Sequence, residues 1–125
     1  MEAQEVFDTV VNHLRKQGVK AQRQSEGSTF EDDKFCAYRA DGGLSCAAGC
    51  LIHDDEYRAW MENTQFRGLL SMKLTPASLK ERLLPHINLI ADLQTTHDCY
   101  EVNQWEGRFK DTAAIHRLVY TPPER

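Results

Sequence analysis

The strongest constraint on the fold is a long apolar stripe over residues 79–93. Its members recur at the three- and four-residue spacing of a single helix face: Leu79, Leu83, Leu84, Ile87, Ile90 and Leu93. Thr75-Pro76 precedes the stripe and predicts a helix start, with the threonine as cap and the proline at the first helical position. Pro85 lies inside the stripe, and because proline lacks an N–H we expect a kink or a division into two helices. The pattern ends near Thr96.

Three further segments carry helical patterns. Residues 2–17 are amphipathic and end at Gly18, a typical C-terminal stop, and their apolar face holds Val6, Phe7, Val10, Val11 and Leu14. A shorter helix is predicted over residues 64–73. A last helix is predicted to begin at Asn103, which forms a capping-box pattern with Glu106. Its apolar residues are Trp105, Phe109, Ile115, Leu118 and Val119.

The middle of the chain has weaker signals. Residues 19–34 are polar and predict a flexible loop. Residues 35–39 alternate as a short strand does, and Asp41-Gly42-Gly43 supplies the turn of a small hairpin that returns at Leu44. Ser45 is then expected to cap a short helix over 46–52, and Asp54 or Asp55 to cap another. This second helix would hold three apolar side chains on one side, namely Tyr57, Trp60 and Met61.

Size and pattern together define the fold class. A chain of 125 residues can bury one hydrophobic core and is too short for two. No internal repeat or linker divides it. The prediction is therefore a mainly α fold: a single compact helical domain over residues 1–125, with one small β-hairpin.

Composition excludes several classes of function. Charges interrupt every apolar run, so no membrane span is expected. The start of the sequence is acidic and amphipathic, unlike an export signal, which predicts a cytoplasmic protein with reduced cysteines. The net charge of −4 argues against direct nucleic-acid binding, which needs a basic face. Small helical domains often pair, so a homodimer is an open alternative, although no heptad repeat predicts it.

Three of the four cysteines lie close together, in the segment FCAYRADGGLSCAAGCLIHDDEY at residues 35–57. Cys36, Cys46, Cys50 and His53 are residue types that bind zinc, but the tight C-x2-C pairs of structural sites are absent. Cys46 and Cys50 are four residues apart beside alanine and glycine, as expected of small apolar residues at a close contact. Packing without a cofactor is the favoured interpretation, and a structural zinc site is the first alternative.

A reactive thiol is the second alternative. A cap at Ser45 would place Cys46 in the first turn of a helix, where the helix dipole lowers the pKa of a thiol. A nucleophilic cysteine also needs a histidine base oriented by a carboxylate, and His97-Asp98 supplies that pair if the fold brings it near. The enzyme hypothesis is therefore a small hydrolase or transferase that uses Cys46, His97 and Asp98.

Two blocks of the sequence carry a resemblance. The first runs from Cys36 through Tyr38-Arg39, the glycine turn and CAAGCLI to Asp54 and Tyr57, and the second is LQTTHD at residues 93–98 followed by Trp105. Both blocks, in this order, resemble a widespread set of small uncharacterised proteins encoded in tailed phages and prophages. His53 departs from that pattern, in which we expect proline, and this weakens the zinc hypothesis.

The resemblance implies a function class but no catalytic residue. It implies a phage-type accessory protein in the cytoplasm of a bacterial host. Proteins of that kind often bind a host protein or complex, and some inhibit a host defence system such as CRISPR. We therefore expect a non-enzymatic protein that acts by protein–protein binding. Its candidate interaction residues are the polar and aromatic members of the first block: Tyr38, Arg39, Asp54, Asp55 and Tyr57.

Overall fold

The computed structural model describes residues 1–24, 34–62 and 64–123. Five α-helices carry the fold: α1 (Ala3–Gln17), α2 (Phe66–Leu69), α3 (Ala77–Leu83), α4 (Ile87–Cys99) and α5 (Trp105–Ile115). Four short strands lie between α1 and α2, namely β1 (Gln22–Gln24), β2 (Lys34–Cys36), β3 (Arg39–Ala40) and β4 (Leu44–Ser45). The mainly α prediction is confirmed.

The helix α4 lies at the centre and packs against α1 and α5. Its buried residues Leu89, Ile90 and Leu93 meet the apolar face of α1, all five of whose predicted members are buried. The helix α1 begins with a capping box between Glu2 and Glu5, and it ends at Gly18, whose left-handed backbone (φ 71°) lets its N–H bond to the Leu14 carbonyl. The prediction for residues 2–17 is confirmed.

Pro85 divides the long stripe as expected. A 3₁₀ turn, Leu84–His86, separates α3 from α4, and the change of direction leaves Leu84 exposed although it belongs to the predicted face. The predicted start is shifted by one residue, because Pro76 occupies the cap position. The Thr75 hydroxyl instead donates a hydrogen bond of 2.6 Å to the Leu69 carbonyl.

The predicted hairpin is present, and the predicted loop is partly wrong. Strands β3 and β4 pair antiparallel around residues 41–43, where Gly42 and Gly43 have φ of 80° and 78°. The strand predicted over 35–39 is divided, because β2 pairs instead with β1. Residues 22–24 form β1 although their polar sequence predicts a loop, because backbone hydrogen bonds to β2 hold the strand whatever its side chains are. The rest of that predicted loop, residues 25–33, lies outside the described residues.

Two predicted short helices are wrong. Ser45 lies in β4 and caps nothing, and the next residues form a tight turn followed by a 3₁₀ turn, Gly49–Leu51. No helix begins at Asp54 or Asp55, and a 3₁₀ turn at Ala59–Met61 takes the place of the expected one. The predicted common face also fails, because Met61 is buried while Trp60 is exposed.

The last two helical predictions need smaller corrections. The helix predicted over 64–73 is the single turn α2. The helix α5 starts at Trp105 after a 3₁₀ turn, Val102–Gln104, whose capping box joins Glu101 to Gln104. Glu106 does not cap, because its carboxylate accepts two hydrogen bonds from Arg15 on α1. Ile115 and Val119 are exposed and do not belong to the core.

Candidate functional site

Two of the four cysteines are packing residues. Cys46 is fully buried in the core, and its sulfur accepts a hydrogen bond from the Gly49 N–H at 3.3 Å. Cys50 donates its S–H to the Ala47 carbonyl at 3.1 Å. Burial raises the pKa of each of these thiols to about 12, so both stay protonated at neutral pH. Cys46 therefore has the environment that the packing interpretation predicts and lacks the one that an activated thiol needs.

Cys36, and not Cys46, lies beside His97 and Asp98. One ligand atom from each of these three residues lies within 4.8 Å of the others. Over the part of the chain that the structure describes, this is the one such group of three, and the set of Cys36, Cys46, Cys50 and His53 is not brought together. The sequence thus identified the histidine and the aspartate, but paired them with the wrong cysteine, because the β1–β2 pairing that positions Cys36 was not predicted.

The two hydrogen bonds of His97 fix its protonation state. The imidazole is fully buried near the C-terminal end of α4 and stacks on Trp105, with ring centroids 5.8 Å apart. Its Nε2 accepts a hydrogen bond from the Ala21 N–H at 2.9 Å, so Nε2 carries no proton. The proton is therefore on Nδ1, which donates to Asp98 Oδ1 at 2.7 Å. His97 is accordingly a neutral imidazole with no nitrogen left to act as a base.

Asp98 is the centre of this polar network. Gln94 Nε2 donates to both of its carboxylate oxygens, at 3.0 and 3.1 Å, while Gln94 Oε1 accepts the Ala48 N–H at 2.8 Å. The Cys36 sulfur lies next to this carboxylate, within 4.8 Å of one of its oxygens. Burial, followed by the negative charge of Asp98, raises the pKa of Cys36 to about 12. A carboxylate next to a thiol disfavours the thiolate, which is the opposite of activation.

The same geometry disfavours zinc at this site. Cys36, His97 and Asp98 are residue types that bind zinc, and they are close enough to share an ion. A metal at Nδ1 would, however, displace the proton of His97 to Nε2, where it would point at the N–H of Ala21. Two N–H donors, of His97 and of Ala21, would then face each other in a buried position, and the hydrogen bond that now joins them would be lost. The residues present fit a hydrogen-bond network better than a metal centre.

An open pocket of about 490 Å³ lies on the outer side of this network. We call it the Asp98 pocket, and the lining residues that matter below are Cys36, Tyr38, Glu62, Phe66, Gln94 and Asp98. The helices α2 and α4 form one side and the segment 36–38 forms another. Its lining mixes polar and apolar groups, as ligand-binding pockets do.

A second cluster is formed by the Tyr-Arg pair of the first sequence block, and we call it the Arg39 corner: Tyr38, Arg39, Asp54, Tyr57 and Glu62. Glu62 accepts hydrogen bonds from the N–H groups of Tyr38 and Arg39, at 2.9 and 3.1 Å, and from the Tyr57 hydroxyl. The Arg39 guanidinium bonds to Asp54 at 2.8 Å and lies over the Tyr57 ring, 4.6 Å from its centroid. The cluster is therefore held by several mutually supporting contacts.

The predicted interaction residues differ in exposure. Asp54 is 97% exposed, Asp55 is exposed, and Arg39 and Tyr57 are half-buried. Tyr38, in contrast, is only 6% exposed, and its hydroxyl donates to the Thr64 carbonyl, so the prediction of Tyr38 as a surface residue is wrong. The alternating pattern of residues 35–39 predicts one strand. In the structure the chain leaves β2 at Ala37, and the Tyr38 ring is buried. Glu62, which supports the corner, was not recognised as part of it from the sequence.

Glu56 is a structural residue that the sequence grouped with its exposed neighbours. Its buried carboxylate accepts hydrogen bonds from Arg82 at 2.6 and 2.9 Å and from the Ser78 hydroxyl at 2.6 Å. The bond from Arg82 holds the pKa of Glu56 down at about 2. This ion pair fastens the segment after the cysteines to α3. Ser78 and Arg82 lie four residues apart on one helix face. This spacing is the sequence feature that could have indicated a shared acidic partner.

Comparison with known proteins adds no relative. No protein-family model, curated protein or solved structure matches the chain. None of the helices in the described part of the chain has the length and apolar character that crossing a membrane requires.

Proposed function

We propose that this chain is a protein-binding module that acts through the Arg39 corner. The observation that carries the proposal is the fixed position of the Arg39 guanidinium, between the Asp54 carboxylate and the Tyr57 ring. Arginine and tyrosine are enriched among the residues that dominate binding energy at protein interfaces. Side chains already held in one conformation lose less entropy when a partner binds.

The thiol chemistry supports binding over catalysis. A nucleophilic cysteine needs a lowered pKa or an adjacent base. Burial raises the pKa of Cys36 and of Cys46 to about 12, and the imidazole next to Cys36 has both nitrogens engaged. The enzyme hypothesis with Cys46, His97 and Asp98 therefore has no observation in its favour.

The partner class rests on the sequence resemblance. Similarity to phage-type accessory proteins favours a bacterial host protein or complex as the partner, and inhibition of a host defence system such as CRISPR as the outcome. The acidic balance of −4 is compatible with a basic partner surface and too small for mimicry of a nucleic acid.

The first experiment identifies the partner. The tagged chain is purified from bacterial extract, and co-purifying proteins are quantified against the chain itself. The same strain is scored for phage plating with its CRISPR defence active. We expect one host protein at a stoichiometric ratio and higher plating when the chain is expressed. If neither a stoichiometric partner nor a plating change is found, the proposal is wrong.

The second experiment locates the binding surface. Asp54→Arg and Asp55→Arg reverse exposed charges of this segment outside the core, and Asp54→Arg also removes the ion pair that positions Arg39. We expect each to weaken partner binding at least about tenfold, the loss of roughly 1.4 kcal/mol that is typical of an interface residue, with no change in melting temperature. Asp8→Arg makes the same charge reversal on an exposed residue of α1 and should leave the affinity unchanged. Equal affinities for all three variants would contradict the assignment.

A further inference from the structure

Asp98 is a carboxylate whose hydrogen-bond partners are all neutral. Both of its oxygens accept hydrogen bonds from the Gln94 amide, and Oδ1 also accepts from His97. The Ala21 N–H donates to the other imidazole nitrogen, which excludes a charged imidazolium in this geometry. The Cys36 thiol is protonated as well, since burial and Asp98 raise its pKa. A network of donors thus holds the negative charge in place without cancelling it.

No positive side chain compensates Asp98 within the described structure. Its side chain is only 33% exposed, and none of the lysine or arginine side chains that the structure describes comes within 4.0 Å of it. Arg67 lines the same pocket, but it donates to Asn88 at 2.8 Å. Lys20 is near enough to lower the pKa of Cys36 but makes no ion pair with Asp98. Asp98 is thus a half-buried carboxylate that accepts hydrogen bonds but has no lysine or arginine partner within the described structure, so a cation that entered the pocket would meet an unpaired negative charge.

The Asp98 pocket has the composition that a long basic side chain would need. The pocket, of about 490 Å³, opens to solvent beside the carboxylate, and the carboxylate of Glu62 is a second acid in its lining. Phe66 and Tyr38 are almost fully buried but line the pocket, where a methylene stem can lie against them. The polar and apolar groups are therefore arranged as an amphipathic cation requires.

We propose that the Asp98 pocket is the binding site for a lysine or arginine side chain of the partner protein. The inference rests on the proposed binding function and names the partner group that this surface takes. Tyr38 and Glu62 belong to both the pocket and the Arg39 corner, so one partner segment can engage both. A guanidinium is the better match, because it can donate two parallel hydrogen bonds to one carboxylate.

The direct test uses small probes and needs no identified partner. N-acetyl-arginine methylamide and N-acetyl-lysine methylamide are titrated into the ¹⁵N-labelled chain at low salt. N-acetyl-citrulline methylamide has almost the shape of the arginine probe but carries no charge. We expect saturable shifts of the amides of Gln94, Asp98, Cys99 and Thr64 with the two cations. The citrulline probe should bind at least about tenfold more weakly, as expected when a charged pair is lost.

Two variants and a control separate the effect of the Asp98 charge from that of the net negative charge of the chain. Asp98→Asn keeps the shape and should weaken arginine binding at least about tenfold. Thr95→Lys places a tethered cation three residues before Asp98, at an exposed position that lines the pocket, and should raise the melting temperature and block the probe. Asp8→Asn removes an exposed carboxylate of α1, outside both the pocket and the Arg39 corner, and should leave probe binding unchanged.

The outcomes are distinct from those of the partner experiments. Absence of saturable shifts, equal binding of citrulline and arginine, or undiminished binding to Asp98→Asn with a native spectrum would each overturn the pocket assignment. If the partner still binds the chain in that case, the binding function stands and only the basic ligand is wrong. If the arginine probe binds and no partner is found, the binding function fails while the cation site stands.

Discussion

At the scale of single residues, Gly49 explains why the cysteine segment has its composition. The backbone of Gly49 is not in the left-handed region, so glycine is needed here only because a larger side chain would not fit. A β-carbon at this position would overlap the carbonyl oxygen of Tyr38 and lie 2.8 Å from the carbonyl carbon. Cys46, Ala47 and Ala48 are fully buried around it. Small side chains in this segment thus allow the turn to lie directly on the backbone of the Arg39 corner.

The first prediction concerns that contact. Gly49→Ala should lower the free energy of unfolding by at least about 2 kcal/mol, because backbone must move to admit the methyl group. Gly68→Ala is the matched control, since a β-carbon there meets nothing within 4 Å. At this exposed position of α2 the substitution should be neutral or stabilise by up to about 1 kcal/mol. Denaturant unfolding of both variants measures the difference, and equal stabilities would contradict the close packing.

The second prediction concerns thiol reactivity. Cys99 is exposed and should be the first thiol to be alkylated by iodoacetamide near neutral pH. Cys46 should react only after unfolding, because it is buried and protonated, and Cys36 should react more slowly than Cys99. Mass spectrometry of tryptic peptides follows each site. Faster alkylation of Cys36 or Cys46 than of a free-cysteine reference would restore the enzyme hypothesis.

The third prediction concerns zinc. Because the tautomer of His97 is set by the Ala21 N–H, the purified chain should contain zinc at a molar ratio near zero. A chelator should leave its melting temperature unchanged, since no metal contributes to folding. Elemental analysis and thermal unfolding give both values. A molar ratio of zinc to protein near one, with destabilisation by the chelator, would show that these residues bind zinc and do not form the hydrogen-bond network.

At the scale of elements, short irregular segments are held by side chains instead of regular backbone pairing. Residues 53–56 form a turn whose buried Glu56 is fixed by Arg82 and Ser78 of α3. Arg82 also donates to the Leu51 carbonyl, at 2.8 Å. These bonds anchor to α3 the segment that carries the exposed acids next to Glu56.

The fourth prediction is the pH dependence of that anchor. The folded pKa of Glu56 is about 2, compared with 4.5 for the free group. A depressed pKa gives stability that is complete above about pH 4.5 and is lost as the pH falls toward 2, and the linked free energy is about 3 kcal/mol. The pKa of Glu106 is also lowered, by Arg15, which adds to the same trend.

The variant Glu56→Gln isolates this contribution. It should reduce the acid-dependent loss of stability between about pH 4.5 and 2, since the titrating group is gone. Asp55→Asn, at an exposed neighbour, is the control and should change the slope much less. Chemical unfolding at a series of pH values measures both, and an unaltered slope in Glu56→Gln would show that the Arg82 pair does not control acid stability.

The helices that could be predicted from sequence are those with a long regular pattern. The helix α1 and the division at Pro85 follow from helical spacing and from the missing proline N–H. Strand β1 could not be predicted, because its polar residues are held by backbone pairing and by the Ala21–His97 bond, which joins residues 76 positions apart. His97 and Asp98 can be recognised as a pair because they are adjacent in the sequence. Cys36 cannot be assigned to them from the sequence, because the β1–β2 pairing brings it there.

At the scale of the whole molecule, the two candidate surfaces are continuous. Tyr38 and Glu62 contribute to the Asp98 pocket and also support the Arg39 corner. One partner could therefore contact the fixed Arg39 guanidinium and place a basic side chain against Asp98. The core beneath is closed by α1, α4 and α5, and α4 also lines the pocket, through Gln94 and Asp98.

The most direct test of binding through this face is amide hydrogen exchange of the chain, measured alone and in complex with its purified partner. Exchange should slow at residues 38–40, 52–58 and 64–66, which belong to the corner and the pocket, while the exposed end of α5 and residues 116–121 remain unchanged. Slowing confined to α5 and residues 116–121, or no slowing at all in a saturated complex, would contradict the account.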